Sequence, residues 1–256
     1  MARFGMVIDL QRCVGCGACA LACKAENNTP SRVAGQGHNW ADFVLKTAGT
    51  FPDTVHTTMP VMCNHCTDAP CVGVCPVIPK ALFKTPDGIT MHDPDLCIGC
   101  RMCQHACPYS HVELDEKSLD GETYSVISFN PRQTDPYPQW TDQSAMIPGC
   151  TSSGAATAHS AQATPPWKNE FDASNSKPTQ RAGVVGKCTF CYHRTSNGLQ
   201  PACVEACPSK ALIFGDQDDT NAPIAKALKA QRSFRLLEEK GTRPNVHYIG
   251  KYSARA

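Results

Sequence analysis

Apolar residues along this chain come in short bursts, and no stretch approaches the roughly 20 apolar residues that span a bilayer. Ala81 to Phe83 and Ile89 to Met91, separated by the turn residues Pro86, Asp87 and Gly88, predict two strands of a hairpin. A later burst, Val246 to Ile249, follows Gly241-Thr242-Arg243-Pro244 and reads as another strand. Helical periods are equally brief. Ala18 to Ala25, Met102 to Cys107 and Val204 to Ala206 read as helical turns, the last two stopped by Pro108 and Pro208. A further helix starts after Asp218 to Asn221 at Pro223, with Ile224, Leu228 and Ala227 giving it an apolar side; this C-terminal tail reads as packing and interface without chemistry. From Pro131 to Lys187 no apolar period survives. Pro136, Pro138, Pro148, Pro165, Pro166 and Pro178 lie among Ser, Thr, Gln and Ala, which predicts a long irregular insertion, either laid over a partner or looped into solvent.

Composition sharpens this picture. The 256 residues are 41% hydrophobic but only 7% aromatic, thin for a core of this size, so something besides side-chain packing must fill the interior. The net charge of +1 excludes a polyanion-binding role, which needs a strong basic excess. Met1 to Asp9 has no signal-peptide core. The expectation is a chain neither exported by its own signal nor inserted in a membrane.

The missing interior is supplied by cysteine. Seventeen are present, and all but Cys150 fall into four quartets: Cys13, Cys16, Cys19 and Cys23; Cys63, Cys66, Cys71 and Cys75; Cys97, Cys100, Cys103 and Cys107; Cys188, Cys191, Cys203 and Cys207. Tight Cys-x-x-Cys pairs in a long chain without a secretory signal argue against a disulfide framework. Thiolates suit zinc as well as iron–sulfur clusters, but an unbroken run of cysteines is awkward for a tetrahedral zinc site. Covalent haem needs His directly after the second cysteine, where the chain has Thr67, Arg101 and Tyr192. The run from Cys97 to Cys107-Pro108 follows the bacterial ferredoxin spacing, in which three cysteines wrap one cluster and the fourth serves a neighbour.

The quartets belong to an internal repeat. Asp9 and Asp93 stand four residues before Cys13 and Cys97, and Val14-Gly15 matches Ile98-Gly99. Lys80-Ala81-Leu82-Phe83 follows Cys75-Pro76 as Lys210-Ala211-Leu212-Ile213 follows Cys207-Pro208. Gly15 and Gly99 let the backbone turn toward a cluster without an intervening side chain. Longer spacings, from Cys66 to Cys71 and from Cys191 to Cys203, still allow one cluster to be reached, and Lys24 in place of proline lets the first helix run past Cys23. The nine histidines are dispersed, and no nucleophile elbow, zinc-protease helix or phosphate loop is present. No active site is expected, and Cys150 is a spare thiol.

With four quartets spaced this way, the chain resembles the four-cluster, ferredoxin-like electron-transfer (beta) subunit of molybdopterin oxidoreductases of the dimethyl sulfoxide reductase family, with arsenate, polysulfide and thiosulfate reductase subunits most similar. The resemblance rests on Arg12-Cys13-Val14-Gly15-Cys16 through Lys24-Ala25-Glu26-Asn27, on Cys63-Asn64-His65-Cys66 with Pro70-Cys71, and on Pro201-Ala202-Cys203-Val204-Glu205-Ala206-Cys207-Pro208 with Phe214-Gly215-Asp216. It implies an α+β fold of two ferredoxin-like, two-cluster modules: an outer one from residues 1–59 and 181–256, an inserted one from 60–128, and an irregular insertion at 129–180. It implies four 4Fe-4S clusters with exchanged fourth ligands. Cys13, Cys16 and Cys19 are then completed by Cys207, and Cys188, Cys191 and Cys203 by Cys23; Cys63, Cys66 and Cys71 are completed by Cys107, and Cys97, Cys100 and Cys103 by Cys75. The implied partners are a catalytic subunit carrying a molybdenum or tungsten bis-pterin and, at the far end, a membrane quinone-reactive subunit or soluble carrier. Export with a signal-bearing partner implies the periplasm, with the cytoplasm as the alternative. A stand-alone polyferredoxin and the wire subunit of a hydrogenase or formate dehydrogenase remain open, although Lys251 to Ala256 offers no membrane helix of the kind formate-enzyme subunits add.

Overall fold

A computed structural model of the chain describes residues 2–29, 39–110, 124–130, 132, 142–145, 147–162 and 181–251. Its elements, in order, are β1 (Phe4–Asp9), α1 (Ala18–Glu26), β2 (Ala41–Thr50), β3 (Asp53–Met62), α2 (Pro70–Gly73), β4 (Leu82–Lys84), β5 (Thr90–His92), α3 (Met102–Ala106), β6 (Ile127–Phe129), α4 (Gly154–Ser160), β7 (Val185–Lys187), α5 (Tyr192–Thr195), α6 (Ala202–Glu205), β8 (Leu212–Asp216), α7 (Pro223–Ala230), β9 (Ser233–Phe234), a 3₁₀ turn (Glu238–Lys240) and β10 (Val246–Ile249). The fold is α+β.

The four-stranded sheet runs β8-β1-β10-β9, with β1 and β10 parallel and both other pairs antiparallel. Because β1 is central, it is buried on both faces and reads as continuous Met6-Val7-Ile8. Met6 and Ile8 face the main core, whereas Val7 meets Ile249 and Ile224 of α7 on the other side. The predicted hairpin is present one residue later than expected, as β4 and β5, with Leu82 opposite His92. The longest pairing, β2 with β3, extends over ten residues each; its outer half is exposed and Phe51 at its tip is 92% exposed.

The stretch from 131 to 187, expected to be irregular, contains regular structure where it is described. Ser153 caps α4 by accepting from the Ala156 amide, and β7 pairs with β6, which joins residues 127–129 to 185–187. Residues 131, 133–141, 146 and 163–180 lie outside the described residues, as do 252–256.

Thin aromatic content is offset by sulfur. The main core mixes Ile8, Phe214 and Tyr248 with Cys19, Cys203 and Cys207. A second core mixes Leu82, Ile127 and Val185 with Cys63, Cys66, Cys71 and Cys103. The interior is therefore built around the cysteine loops.

Candidate functional site

Two pairs of short helices carry the cysteines. Helix α1 packs on α6, and α2 packs on α3. Cys19 and Cys23 lie four apart on α1 and both face inward. The repeat seen in the sequence has a mechanical basis. Asp9 Oδ1 accepts from the Gln11 and Arg12 amides, and Asp93 Oδ1 from the Asp95 amide, so each aspartate turns the chain just ahead of a quartet. Lys80 Nζ donates to the carbonyls of Val72 and Gly73 at the end of α2, and Lys210 Nζ to that of Glu205 at the end of α6. Both lysines cap a helix whose last carbonyls have no partner of their own.

None of the seventeen cysteines, all among the described residues, is in a disulfide. The first and fourth quartets interleave. The Asn27 amide lies 3.5 Å from Cys23 Sγ and 3.8 Å from Cys191 Sγ, bridging the two sulfurs. Burial, then the neighbouring Cys191 and Cys188, pushes the Cys23 thiol well above its ordinary range. Cys203 is raised by burial and by Cys191, Cys23, Cys188 and Cys19. Burial lifts Cys19 to about 11, with Cys13 and Cys207 among the charges facing it. Cys207 is the exception: burial raises its pKa, but the Ser209 hydroxyl and the Ala211 and Leu212 amides outweigh that and lower it.

The second and third quartets interleave in the same way. Cys107 is raised by burial and then by Cys63, with Cys71 also near. Cys66 and Cys71 are each lifted to about 11, by burial first and Cys63 next. Cys75, Cys97, Cys100 and Cys103 line one cleft, closed by Leu82 and Val185. Burial, followed by Cys71, Cys97 and Cys100, takes Cys103 to about 12. Packing puts the groups in one series: Cys63, Cys71 and Cys103 lie in one core, Cys19 and Cys203 in the other, and Cys188 packs against both. Cys16 and Cys100, at the two ends of the series, are exposed; Cys150 is exposed and belongs to none of these groups.

Four thiols around one cleft form a soft, multidentate donor set. Among the described residues no trio of His, Cys, Asp or Glu is drawn in tightly enough for a single metal ion. Thiols converging in this number suit a polynuclear iron–sulfur cluster.

Glycine is required where expected. Gly15 and Gly99 have φ of 68° and 71°, and a Cβ on Gly99 would lie 1.9 Å from the Gly183 carbonyl oxygen. Several other contacts were not legible. The Thr242 hydroxyl hydrogen-bonds the Tyr109 hydroxyl at 2.7 Å and favours the Cys66 thiolate, so the tail reaches the site. Asn245, 2% exposed, donates to the His65 carbonyl and to Thr67 Oγ1. The Thr67 and Asp68 amides donate to the carbonyls of Arg243 and Thr242. Glu26 ties α1 to α5 through His193 at 2.7 Å and Arg194 at 3.2 Å. Glu26 and Asn27 stand in the motif that carries the resemblance, the one signal that could have singled them out.

Comparison with known proteins accords with this geometry. A 4Fe-4S dicluster domain matches residues 54–124 and 155–217, and a 4Fe-4S binding domain matches residues 4–25. The class is therefore that of iron–sulfur proteins with paired 4Fe-4S sites. The chain is 41% identical to the arsenate respiratory reductase iron-sulfur subunit of a Shewanella species, over 99% of this chain and 98% of the relative. It is 36% identical to a putative dimethyl sulfoxide reductase iron-sulfur subunit of Halobacterium salinarum, over 97% and 79% of the two chains. A tetrathionate reductase subunit of Salmonella typhimurium is 31% identical, over 97% and 72%. The chain belongs to the iron–sulfur beta subunits of the dimethyl sulfoxide reductase family. It is an electron-transfer subunit, and no helix among its described residues is long and apolar enough to cross a membrane.

Proposed function

We propose that the chain relays electrons through four 4Fe-4S clusters between a molybdopterin catalytic subunit and a membrane quinone-reactive subunit or soluble carrier. Each cluster supplies a one-electron redox step when bound. The observation that carries this reading is the packing of the thiols in series: Cys63, Cys71 and Cys103 in one core, Cys19 and Cys203 in the other, and Cys188 against both.

The ligand sets are Cys13, Cys16, Cys19 with Cys207; Cys188, Cys191, Cys203 with Cys23; Cys63, Cys66, Cys71 with Cys107; and Cys97, Cys100, Cys103 with Cys75. Asn27, bridging Cys23 and Cys191, supports the exchange in the outer pair. The cleft shared by Cys75 and the third quartet supports it in the inserted pair. On this reading residues 1–59 with 181–256 and residues 60–128 are the two modules. At the ends of the series, exposed apolar side chains flank an exposed cysteine: Val14 and Leu21 beside Cys16, Ile98 and Met102 beside Cys100. Those two ends are where partners dock. The identity to the arsenate enzyme's subunit along nearly all of both chains makes a respiratory arsenate reductase the first partner to test, and export with that partner the favoured route to the periplasm.

Replacing Cys23 by Ser tests the exchange. The cluster of the fourth quartet should be perturbed in the EPR spectrum, whereas damage confined to the first-quartet cluster contradicts the assignment. Gel filtration of the natively expressed chain tests the partner: co-elution with a large pterin-binding protein is expected, and elution alone favours a stand-alone polyferredoxin.

A further inference from the structure

The residue just before the second cysteine of each Cys-x-x-Cys pair divides the four loops into two kinds. All four adopt positive φ: 68° at Gly15, 71° at Gly99, 44° at His65 and 52° at Phe190. The two loops at the ends of the series have glycine there. The two inner loops carry rings that stack on each other with centroids 3.7 Å apart, at 0% and 1% exposure. A left-handed conformation is costly for such side chains, and burial of the stacked pair opposes that cost. His65 is held neutral: burial first, then the charges of Lys187 and Lys84, lowers its pKa well below the ordinary value.

Against this junction lies an unusual cation. Lys187 is 1% exposed, and its Nζ donates to the Thr90 carbonyl at 2.5 Å and the Cys188 carbonyl at 2.6 Å. Both acceptors are uncharged, and burying an ammonium without a compensating anion is very costly. It reaches both inner groups: it immediately precedes Cys188 and donates to that carbonyl, while Thr90, its other acceptor, donates its amide to His65 Nδ1 in the loop between Cys63 and Cys66. Lys84 differs. It is half-buried, its Nζ donates to the Cys66 carbonyl at 2.7 Å, and it faces Cys66, Cys63 and Cys71, all from one inner group. Lys84, His65 and His92 are the cationic or titratable neighbours on its positive side.

We propose that Lys187 is the shared counter-cation of the two inner cysteine groups and raises the reduction potentials of the clusters bound there. The proposal rests on the ligand sets given above. Thiolate-bound clusters become more negative on reduction, so a fixed positive charge in a water-poor junction favours the reduced form. It follows that the middle of the relay is held at higher potential than a bare set of thiolates would give, through a residue that contacts the ligand loops and is no ligand itself.

Redox titration of the anaerobically purified complex, followed by EPR, tests this. Iron content and spin count of the wild type come first; fewer than four clusters would overturn the underlying ligand assignment. With four present, Lys187→Met should lower the potentials of both inner clusters by at least tenfold in equilibrium constant, which is about 59 mV for one electron. The outer two should move far less. Lys187→Gln, which keeps a donor for the Thr90 and Cys188 carbonyls but no charge, should give the same fall and decides the matter if the methionine variant does not load. Lys84→Met should lower only the cluster of Cys63, Cys66, Cys71 and Cys107. Unshifted inner potentials, or an equal shift at all four clusters, would overturn the role of Lys187 and leave the ligand assignment standing.

Discussion

A single missing Cβ decides whether the third-quartet loop can close. Gly99 has φ of 71°, and its Cα approaches the Gly183 backbone so nearly that a methyl group would overlap the carbonyl oxygen. Backbone on one side and a left-handed φ on the other leave no cheap relaxation. Gly99→Ala should therefore cost about 2 kcal/mol or more and, on the proposed ligand sets, release iron from the group of Cys97, Cys100, Cys103 and Cys75, measurable by thermal denaturation and iron content. At Gly15 the nearest atoms belong to the Thr58 side chain at 3.1 Å, which can rotate, so Gly15→Ala should be milder. His247 makes a prediction of another kind. Burial, then Arg235 and Arg3, lowers its pKa to about 4, while the unfolded residue takes a proton near 6.5. Between those values the unfolded chain binds the extra proton, so stability is full above about pH 6.5 and declines as pH falls toward about 4. His247→Gln, which removes the titration, should flatten that decline by about 1–2 kcal/mol after solvent screening, read from melting temperatures across the range. Both glycines were legible because turn geometry requires them. His65, Phe190 and Lys187 were not, because a ring or a lysine beside a cysteine has no periodic signal and acquires its role only when distant loops meet.

The elements illustrate which physical signals survive in one dimension. Strand β10 and helix α1 are legible nearly to the residue, the strand as an apolar run set off by Pro244 and Gly250, the helix as a run of helix-forming residues after Gly17 that no proline stops. The hairpin of β4 and β5 lies one residue later than its apolar bursts, since burial of Thr90 at 1% and partial exposure of Phe83 at 40% reverse what hydrophobicity alone indicates. Helix α4 has no apolar stripe and depends on the Ser153 cap, so nothing in its periodicity marks it. The tail is the element whose function composition conceals. Lacking cysteine, it nonetheless staples the loop from 63 to 68 through Thr242, Arg243 and Asn245. Asn245→Ala should cost about 1–3 kcal/mol by leaving the buried His65 carbonyl without its donor, and should labilise the second-quartet cluster before the other three. Stepwise iron loss followed by EPR would check the order; uniform loss would show that the tail does not hold that loop.

At the scale of the whole molecule, core and cofactor sites coincide. Both main cores contain cysteines from the quartets, so removing iron takes away the centre of the packing as well as the redox groups. Chelation under reducing conditions should collapse the cooperative thermal transition, which circular dichroism would detect; a metal-free chain that melts as sharply as the loaded one contradicts a cluster-built interior. Local cysteine spacing made the quartets legible, whereas their pairing was implied by the family resemblance and not by the repeat. The order of the groups needed the fold, because it depends on packing such as that of Cys188 against the core holding Cys63, which no local pattern encodes. The most direct test of the whole account is iron analysis with EPR on anaerobically purified complex. The sixteen thiols in four groups predict about 16 iron atoms per chain in four 4Fe-4S clusters. A clear three-iron signal in intact, unoxidised protein, or an iron content near 12 or below, would contradict it.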